Sequence, residues 1–337
     1  MTAQLNQKTI LTGDRATGPL HLGHYVGSLQ QRVALQDNHD QTILVADMQG
    51  LTDNGYTPDK VSANILNVVA DYLAVGIDPS LSTICLQSKV SALAELTMFY
   101  SNLVSVSRLE RNPTVKSEIQ SKQFGRSLPT GFLTYPISQA ADITAFRADT
   151  VPVGDDQLPM LEQTNEIVRK VNRLAGHQIL TECEPLLSNV SRLPSTDGKN
   201  KMSKSLGNSI NLGASEKEIR LAVKSMYTDP KHLNIEDPGQ IQGNVVFTYL
   251  DAFCPDKSYV QGLKKHYQSG GLGDGTTKKI LEECLQELLA PIREKRNEYL
   301  KDKGELINIL RSGTEKARTT AEAVLTDVKS IYGLNVF

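Results

Sequence analysis

Two short strings carry residue types suited to holding phosphate. Near the start, His21-Leu22-Gly23-His24 sets two imidazoles three positions apart, and well past the middle Lys201-Met202-Ser203-Lys204-Ser205 strings cations among small residues. Three-residue spacing puts both histidines on one face of a helical turn. Imidazole N–H groups there can donate to phosphate oxygens, where the helix dipole also favours anions. Gly23 leaves room for a base or ribose to approach the backbone. The lysine run lies between Asp197-Gly198 and Gly207-Asn208, a composition suited to a loop whose Lys201 and Lys204 can move onto charge developing on a leaving phosphate. Taken alone, each string also fits a plain structural role, a histidine pair at a strand–helix turn or a solvated basic loop. Their pairing and order favour nucleotide chemistry in which positioning and positive charge do most of the work.

Two further groupings suit a small polar ligand. Gly154-Asp155-Asp156-Gln157 follows a short apolar run, so Asp156 can meet ribose hydroxyls or an ammonium group and Gln157 can orient the same ligand; an Asx turn capping a helix fits the string as well. Tyr135, Gln139 and Asp142 recur at intervals of four and three, on one side of a helix. They suit either the polar groups of a ligand or a satisfied polar patch.

The elements that must hold these residues alternate. Strands are predicted at 9–12, ending at Gly13, at 43–46, at 82–86 and at 150–153, each a short apolar run closed by a turn residue. Helices are predicted from about His21, from Pro58 to Gly76, over 91–104 and from about Gln157. This alternation predicts a Rossmann-like α/β domain, a doubly wound parallel sheet whose carboxyl ends face the ligand. Beyond about residue 210 strand signals fade. Leu281, Leu285, Leu288 and Leu289 form one apolar stripe, Leu306, Ile307 and Leu310 begin another, and Pro291 should kink or divide its helix. The expected division is 1–212 for the α/β part and 213–337 for an all-helical part, with the last helix able to pack back on the first.

Composition narrows the class. With 36 Lys and Arg against 38 Asp and Glu the net charge is −2, so no global basic field draws nucleic acid and any such contact must be local. The first residues lack a charged stretch followed by an apolar one, and no apolar run approaches the ~20 residues of a membrane span. A cytoplasmic protein without membrane attachment is expected. The four cysteines are scattered without a CxxC pair, so neither a metal knuckle nor a disulfide framework is expected.

The two strings together resemble the paired signatures of class I aminoacyl-tRNA synthetases. Further segments narrow the resemblance: Tyr72-Leu73-Ala74-Val75-Gly76-Ile77-Asp78-Pro79, Leu109-Glu110-Arg111, Ala140-Ala141-Asp142-Ile143, Val151-Pro152-Val153 running into Gly154, and Gly313-Thr314-Glu315-Lys316-Ala317. Over almost its whole length the sequence resembles the bacterial tryptophanyl-tRNA synthetases, in the subgroup that also holds the tyrosyl enzymes. The resemblance implies a ligase that activates L-tryptophan with ATP, carrying Mg2+ on its phosphates, and then acylates the 3′ end of tRNA(Trp). It also implies a homodimer, a helical tRNA-binding domain and no resident metal. It assigns His21, His24, Lys201 and Lys204 to catalysis. ATP contacts fall on Arg15, Ala16, Thr17, Gly23, His24, Gly154, Asp155, Asp156, Leu193 and the run Lys201, Met202, Ser203, Lys204, Ser205, with Leu193 holding adenine through its backbone. Asp142 becomes the acceptor for the indole N–H, beside Tyr135, Gln139 and Gln157, with Leu11, Val151 and Val153 as apolar walls.

Tryptophan is favoured over tyrosine because Leu11 stands where tyrosyl enzymes place a second tyrosine against the phenol. An apolar wall with one carboxylate suits indole, whose single polar atom is a donor. Two departures touch the site. Arg15-Ala16-Thr17 replaces the usual Gln-Pro followed by Ser or Thr, and Gln139 replaces a usual methionine. The alternatives are a tyrosine ligase of the same subgroup, a small-molecule nucleotidyltransferase using the HxGH turn, and a tRNA-binding paralogue without activity.

Overall fold

The computed structural model describes residues 8–125, 127–187, 193–198 and 208–336. Among the described residues five strands form one parallel sheet: β1 (Thr9–Arg15), β2 (Asp40–Ala46), β3 (Ser82–Leu86), β4 (Thr150–Val153) and β5 (Glu184–Leu187), in the order β3-β2-β1-β4-β5. The order reverses beside β1, the switch point at which α/β sheets bind ligands. Registers run Thr9↔Asp40 to Arg15↔Ala46, Gln41↔Ser82 to Val45↔Leu86, and Thr150↔Glu184 to Val153↔Leu187. β2 is buried along all but its first residue, as expected of a strand covered on both faces.

Three strands differ from the sequence expectation, β2 only in that it begins at Asp40 rather than at residue 43. β1 does not stop at Gly13 but continues to Arg15. A Cβ on Gly13 would lie 2.4 Å from the carbonyl oxygen of Leu44, so this glycine allows a close approach of the neighbouring strand and is not a terminator. β5 was not anticipated: it is short, mostly exposed and contains Pro185, which an edge strand tolerates and an interior strand does not.

The helix expected from Pro58 divides into a short turn, Asp59–Ser62, and a longer helix α1 (Ile65–Ala74), with seven buried residues; Gly76 follows with a positive φ of 105°. Next come α2 (Ala92–Ser101), α3 (Pro113–Lys122), α4 (Thr130–Ala145) and α5 (Leu158–Ala175). Asn112 caps α3 by accepting from the N–H groups of Thr114 and Val115, with Pro113 in the first turn. Asp14, at the end of β1, accepts from Arg32 at 2.7 Å and from the Tyr72 hydroxyl at 2.8 Å. Arg32 is buried, so its charge must be matched there, and Asp14 matches it.

The chain forms two compact units that are not consecutive stretches of sequence. The first comprises Met1–Gly18, Gln31–Ser188 and Asp302–Phe337, and the second Pro19–Gln30 and Asn189–Lys301. The first holds the sheet, α1 to α5 and the long last helix, Lys303–Ile331, whose Ala317, Ala321, Val324, Leu325 and Val328 join the core of that unit. The second is helical, with α6 (Glu216–Lys224), α7 (Val245–Phe253), α8 (Lys257–Ser269) and α9 (Asp274–Lys301); the last helix is numbered α10. Pro291 neither ends nor divides α9. Leu281, Leu285, Leu289 and Ile292 are buried along one stripe on both sides of it, and this packing outweighs the ~3 kcal/mol a helical proline costs. Asp302 accepts from Glu305 N–H at 3.0 Å and caps α10. In that helix Leu306 and Leu310 are buried, but Ile307, expected in the same stripe, is exposed.

Candidate active site

In the second unit the HxGH turn is built by its own side chains. His21 has extended backbone and caps the helical turn Leu22–His24: its Nδ1 accepts from Gly23 N–H at 3.1 Å, while His21 N–H donates to His24 Nδ1 at 3.2 Å. The ring centroids are 3.9 Å apart. Both Nδ1 atoms are thus acceptors, so each neutral ring carries its proton on Nε2. A pair that looks in sequence like two donors of unknown orientation is fixed by backbone capping into one tautomer, with each Nε2–H a donor.

The same turn is stitched to the segment that follows the lysine run. His21 bridges Asn211, Leu22 N–H donates to Ile210 O and Leu212 N–H to Leu20 O, both at 2.9 Å. On the other side of the run Thr196 N–H donates to Asn208 O at 3.1 Å, and Tyr227 N–H to Thr196 O at the same distance. Gly198 has φ of 68°, and a Cβ there would meet Val245 Cγ2 at 3.0 Å. Both conformation and packing therefore require glycine before the run. Lys201, Met202, Ser203, Lys204 and Ser205 themselves lie outside the described residues. Leu193 is buried beside Pro194, whose carbonyl accepts from the Tyr249 hydroxyl at 2.9 Å.

In the first unit Asp142 is the centre. It projects from α4 and is 4% exposed. Gln87 Nε2 donates to its Oδ1 at 3.1 Å and its Oδ2 at 2.8 Å, and Gln49 Nε2 donates to Oδ2 at 2.8 Å. The two glutamines also join each other, Gln49 N–H to Gln87 Oε1 at 3.0 Å. Burial pushes the Asp142 carboxyl up to about 7; the Gln87 and Gln49 hydrogen bonds pull it down, and nearby Asp47 raises it. A carboxylate accepts at about four lone-pair positions, and three donations are made here, which leaves one for a further N–H.

Neither Gln49 nor Gln87 was singled out in the sequence. Gln49 lies three residues beyond β2 and Gln87 directly follows β3, at the carboxyl ends of parallel strands. Gly154 to Gln157 hold the corresponding position after β4. Leu11 and Val151 are buried in the core that also holds Ala140 and Ala141, and Val153 is half-buried against it. Tyr135 and Gln139 share α4 with Asp142 and are half-buried, but the Tyr135 hydroxyl donates to Glu118 Oε2 at 2.8 Å. Burial, reinforced by that carboxylate, raises the phenol well above its ordinary range.

The remaining predicted residues of this unit sit at the ends of β1 and β4. Arg15 is half-exposed and pairs with Asp53 at 3.3 Å, a carboxylate that Lys122 also holds. Ala16 is fully buried, and Thr17 N–H closes a tight turn on Arg15 O at 2.8 Å. Asp155 and Asp156 are exposed in the turn Asp155–Gln157 before α5, and Gln157 is half-buried. The Thr114 hydroxyl fixes this turn by donating to Asp156 O at 2.6 Å. A Cβ on Gly154 would meet Asp156 Oδ1 at 3.0 Å, so the glycine lets that carboxylate fold back over the strand end.

Residues 4–290 match the family described as tRNA synthetases class I (W and Y). A tryptophan–tRNA ligase of Clostridium longisporum is 54% identical over 335 residues, 98% of each chain. One of Streptococcus pyogenes serotype M1 is 54% identical over 340 residues, 99% of this chain and all of the relative. Among solved structures, the tryptophanyl-tRNA synthetase of Campylobacter jejuni, complexed with ADP and tryptophan, superposes with a TM-score of 0.84 at 33% identity, covering 97% of this chain and all of that one.

Proposed function

The chain belongs to the class I tRNA synthetases of the tryptophan and tyrosine family, and from that premise we propose that it is a tryptophan–tRNA ligase. The carboxylate of L-tryptophan attacks the α-phosphorus of ATP. An oxygen–phosphorus bond forms, the bond to the β-phosphate bridge breaks, and pyrophosphate leaves. A terminal ribose hydroxyl of tRNA(Trp) then attacks the acyl carbon and AMP leaves.

The observation that carries the choice of amino acid is the Asp142 carboxylate. It is buried, held by two amides, and keeps one acceptor position. Indole offers one N–H and otherwise apolar surface, which Leu11, Val151 and Val153 complement. Near-identical length and 54% identity to relatives that bear this activity support the same reading. His21 and His24 are the donors to ATP phosphate oxygens through Nε2–H. Lys201 and Lys204 supply the positive charge that grows in value as pyrophosphate leaves. Mg2+ arrives on the ATP phosphates. Gly154, Asp156 and Gln157, at the end of β4, serve the ribose and the amino group. The helical unit receives the tRNA, and the enzyme acts as a homodimer in the cytoplasm.

The test is amino-acid-dependent exchange of pyrophosphate into ATP with all twenty amino acids. Tryptophan should support it strongly, and acylation should follow only with tRNA(Trp). Exchange driven by tyrosine in preference would replace this reading with the tyrosine ligase.

A further inference from the structure

β3 is an edge strand, so its outward backbone groups need partners other than a strand. Helix α10 supplies one of them, at Leu86. Thr314 is buried, and its hydroxyl does two jobs: it donates to Leu310 O at 2.6 Å and accepts from Leu86 N–H at 3.1 Å. One turn on, Arg318 Nε donates to Lys89 O at 2.6 Å. Contact between helix and strand is direct, since a Cβ on Gly313 would lie 2.1 Å from Ile84 O. The short 3-10 turn Gln87–Lys89 is therefore fastened by α10 just before its first residue and at its last. Between these two fastenings Gln87 reaches Asp142, and Ser88 N–H donates to Asp47 Oδ1 at 2.9 Å.

We propose that Thr314 and Arg318 are positioning residues for amino-acid recognition: α10 holds the Gln87–Lys89 turn, and the turn holds the Asp142 carboxylate in the orientation that accepts the ligand N–H. The inference rests on the reading of Asp142 as the indole acceptor. A shift of an ångström in a supporting group is enough to cost a site much of its function. Lengthening the Gln87 bonds would both misdirect the carboxylate and remove a contact that favours its ionised form. The titratable groups facing Asp142 are Asp47, beyond β2, and Cys85 on β3.

Valine at 314 keeps the shape of threonine and removes both hydroxyl bonds. In pyrophosphate exchange by the full chain, Thr314→Val should raise the tryptophan KM about tenfold, and leave kcat and the ATP KM within about twofold, on the scale of one lost hydrogen bond. It should also move to higher pH the point at which tryptophan binding weakens, which a general loss of stability would not do. Thr314→Ser should restore both values. Should Thr314→Val not fold, Arg318→Gln, half-exposed on the helix, decides the matter with an expected rise of about threefold. Asp142→Asn is the reference. A raised tryptophan KM in Asp142→Asn, with wild-type values in the Thr314 and Arg318 variants, overturns the positioning role and leaves the indole reading standing. An unchanged KM in Asp142→Asn removes both.

Discussion

The HxGH turn and the Asp142 cluster are fixed by opposite routes. In the turn, residues within one four-residue string cap one another, and the protonation pattern follows from backbone N–H groups reaching Nδ1. In the cluster, one carboxylate on α4 is held by amides from beyond two different strands, tens of residues away in sequence. The local device is rigid by capping, and its chemistry is legible as a string. The assembled device exists only once the sheet has formed, and its defining property, a carboxyl raised by burial yet held by amides as an acceptor, appears in no string. The two should therefore fail differently when altered.

The largest expected losses belong to the phosphate-handling side. Lys204→Ala should slow adenylate formation by about 10²–10³-fold while ATP ground-state binding changes much less, as for removal of one preorganised charge-stabilising donor. Single-turnover kinetics read this directly. His21→Asn sharpens the comparison. The amide oxygen can take the Gly23 N–H as Nδ1 does, so the cap persists while the Nε2–H donor is lost. The rate should fall on the same scale with the melting temperature nearly unchanged. His21→Ala, losing the cap as well, should also cost about 1 kcal/mol of stability.

On the assembled side, Asp142→Asn should raise the tryptophan KM by about 10–100-fold, corresponding to the ~1–3 kcal/mol of a buried acceptor, with the ATP KM within about twofold. The pH profile follows from the carboxyl at about 7. Below that value Asp142 is increasingly protonated and a poorer acceptor, so the wild-type tryptophan KM should rise as pH falls through 7. The profile of Asp142→Asn should be flat. A wild-type profile flat from pH 6 to about pH 8 would break the contrast between the two devices.

Smaller effects come from the pocket wall and from stability. Leu11→Tyr should crowd the indole and narrow the gap between tryptophan and tyrosine by roughly tenfold, on the scale of small pocket changes. For stability the sign runs against the usual carboxylate. The folded-state value of Asp142 lies above the ordinary 3.8, so between 3.8 and about 7 the folded chain holds more proton than the unfolded one. Stability contributed by this group falls as pH rises through that window. The melting temperature of Asp142→Asn relative to wild type should thus increase from about pH 4 to about pH 8.

How far the sequence is readable follows the same division. Strand–helix alternation identifies the α/β sheet, and the spacing of Tyr135, Gln139 and Asp142 places all three on α4. The end of β1 is obscured because Gly13 reads locally as a terminator, whereas its placement makes it a close-approach site, and β5 is obscured because a short, mostly exposed strand with a proline carries little apolar pattern. Gln49 and Gln87 are hidden for a different reason. Glutamine after a strand is unremarkable until the neighbouring strand end and the buried carboxylate are known to lie beside it. Tyr135, on the same helix, is already engaged by Glu118 from α3, a partner that no periodicity indicates.

The central claim is that a buried carboxylate beside an apolar wall selects an aromatic ring with one N–H. It is tested most directly by kcat/KM for tryptophan and for tyrosine in pyrophosphate exchange, in wild type and Asp142→Asn. Wild type should prefer tryptophan by about 10³-fold or more, since polar matching in a closed site reaches such ratios, and Asp142→Asn should erode that preference mainly through KM. A wild-type preference for tyrosine, or a ratio that Asp142→Asn leaves untouched, would contradict it.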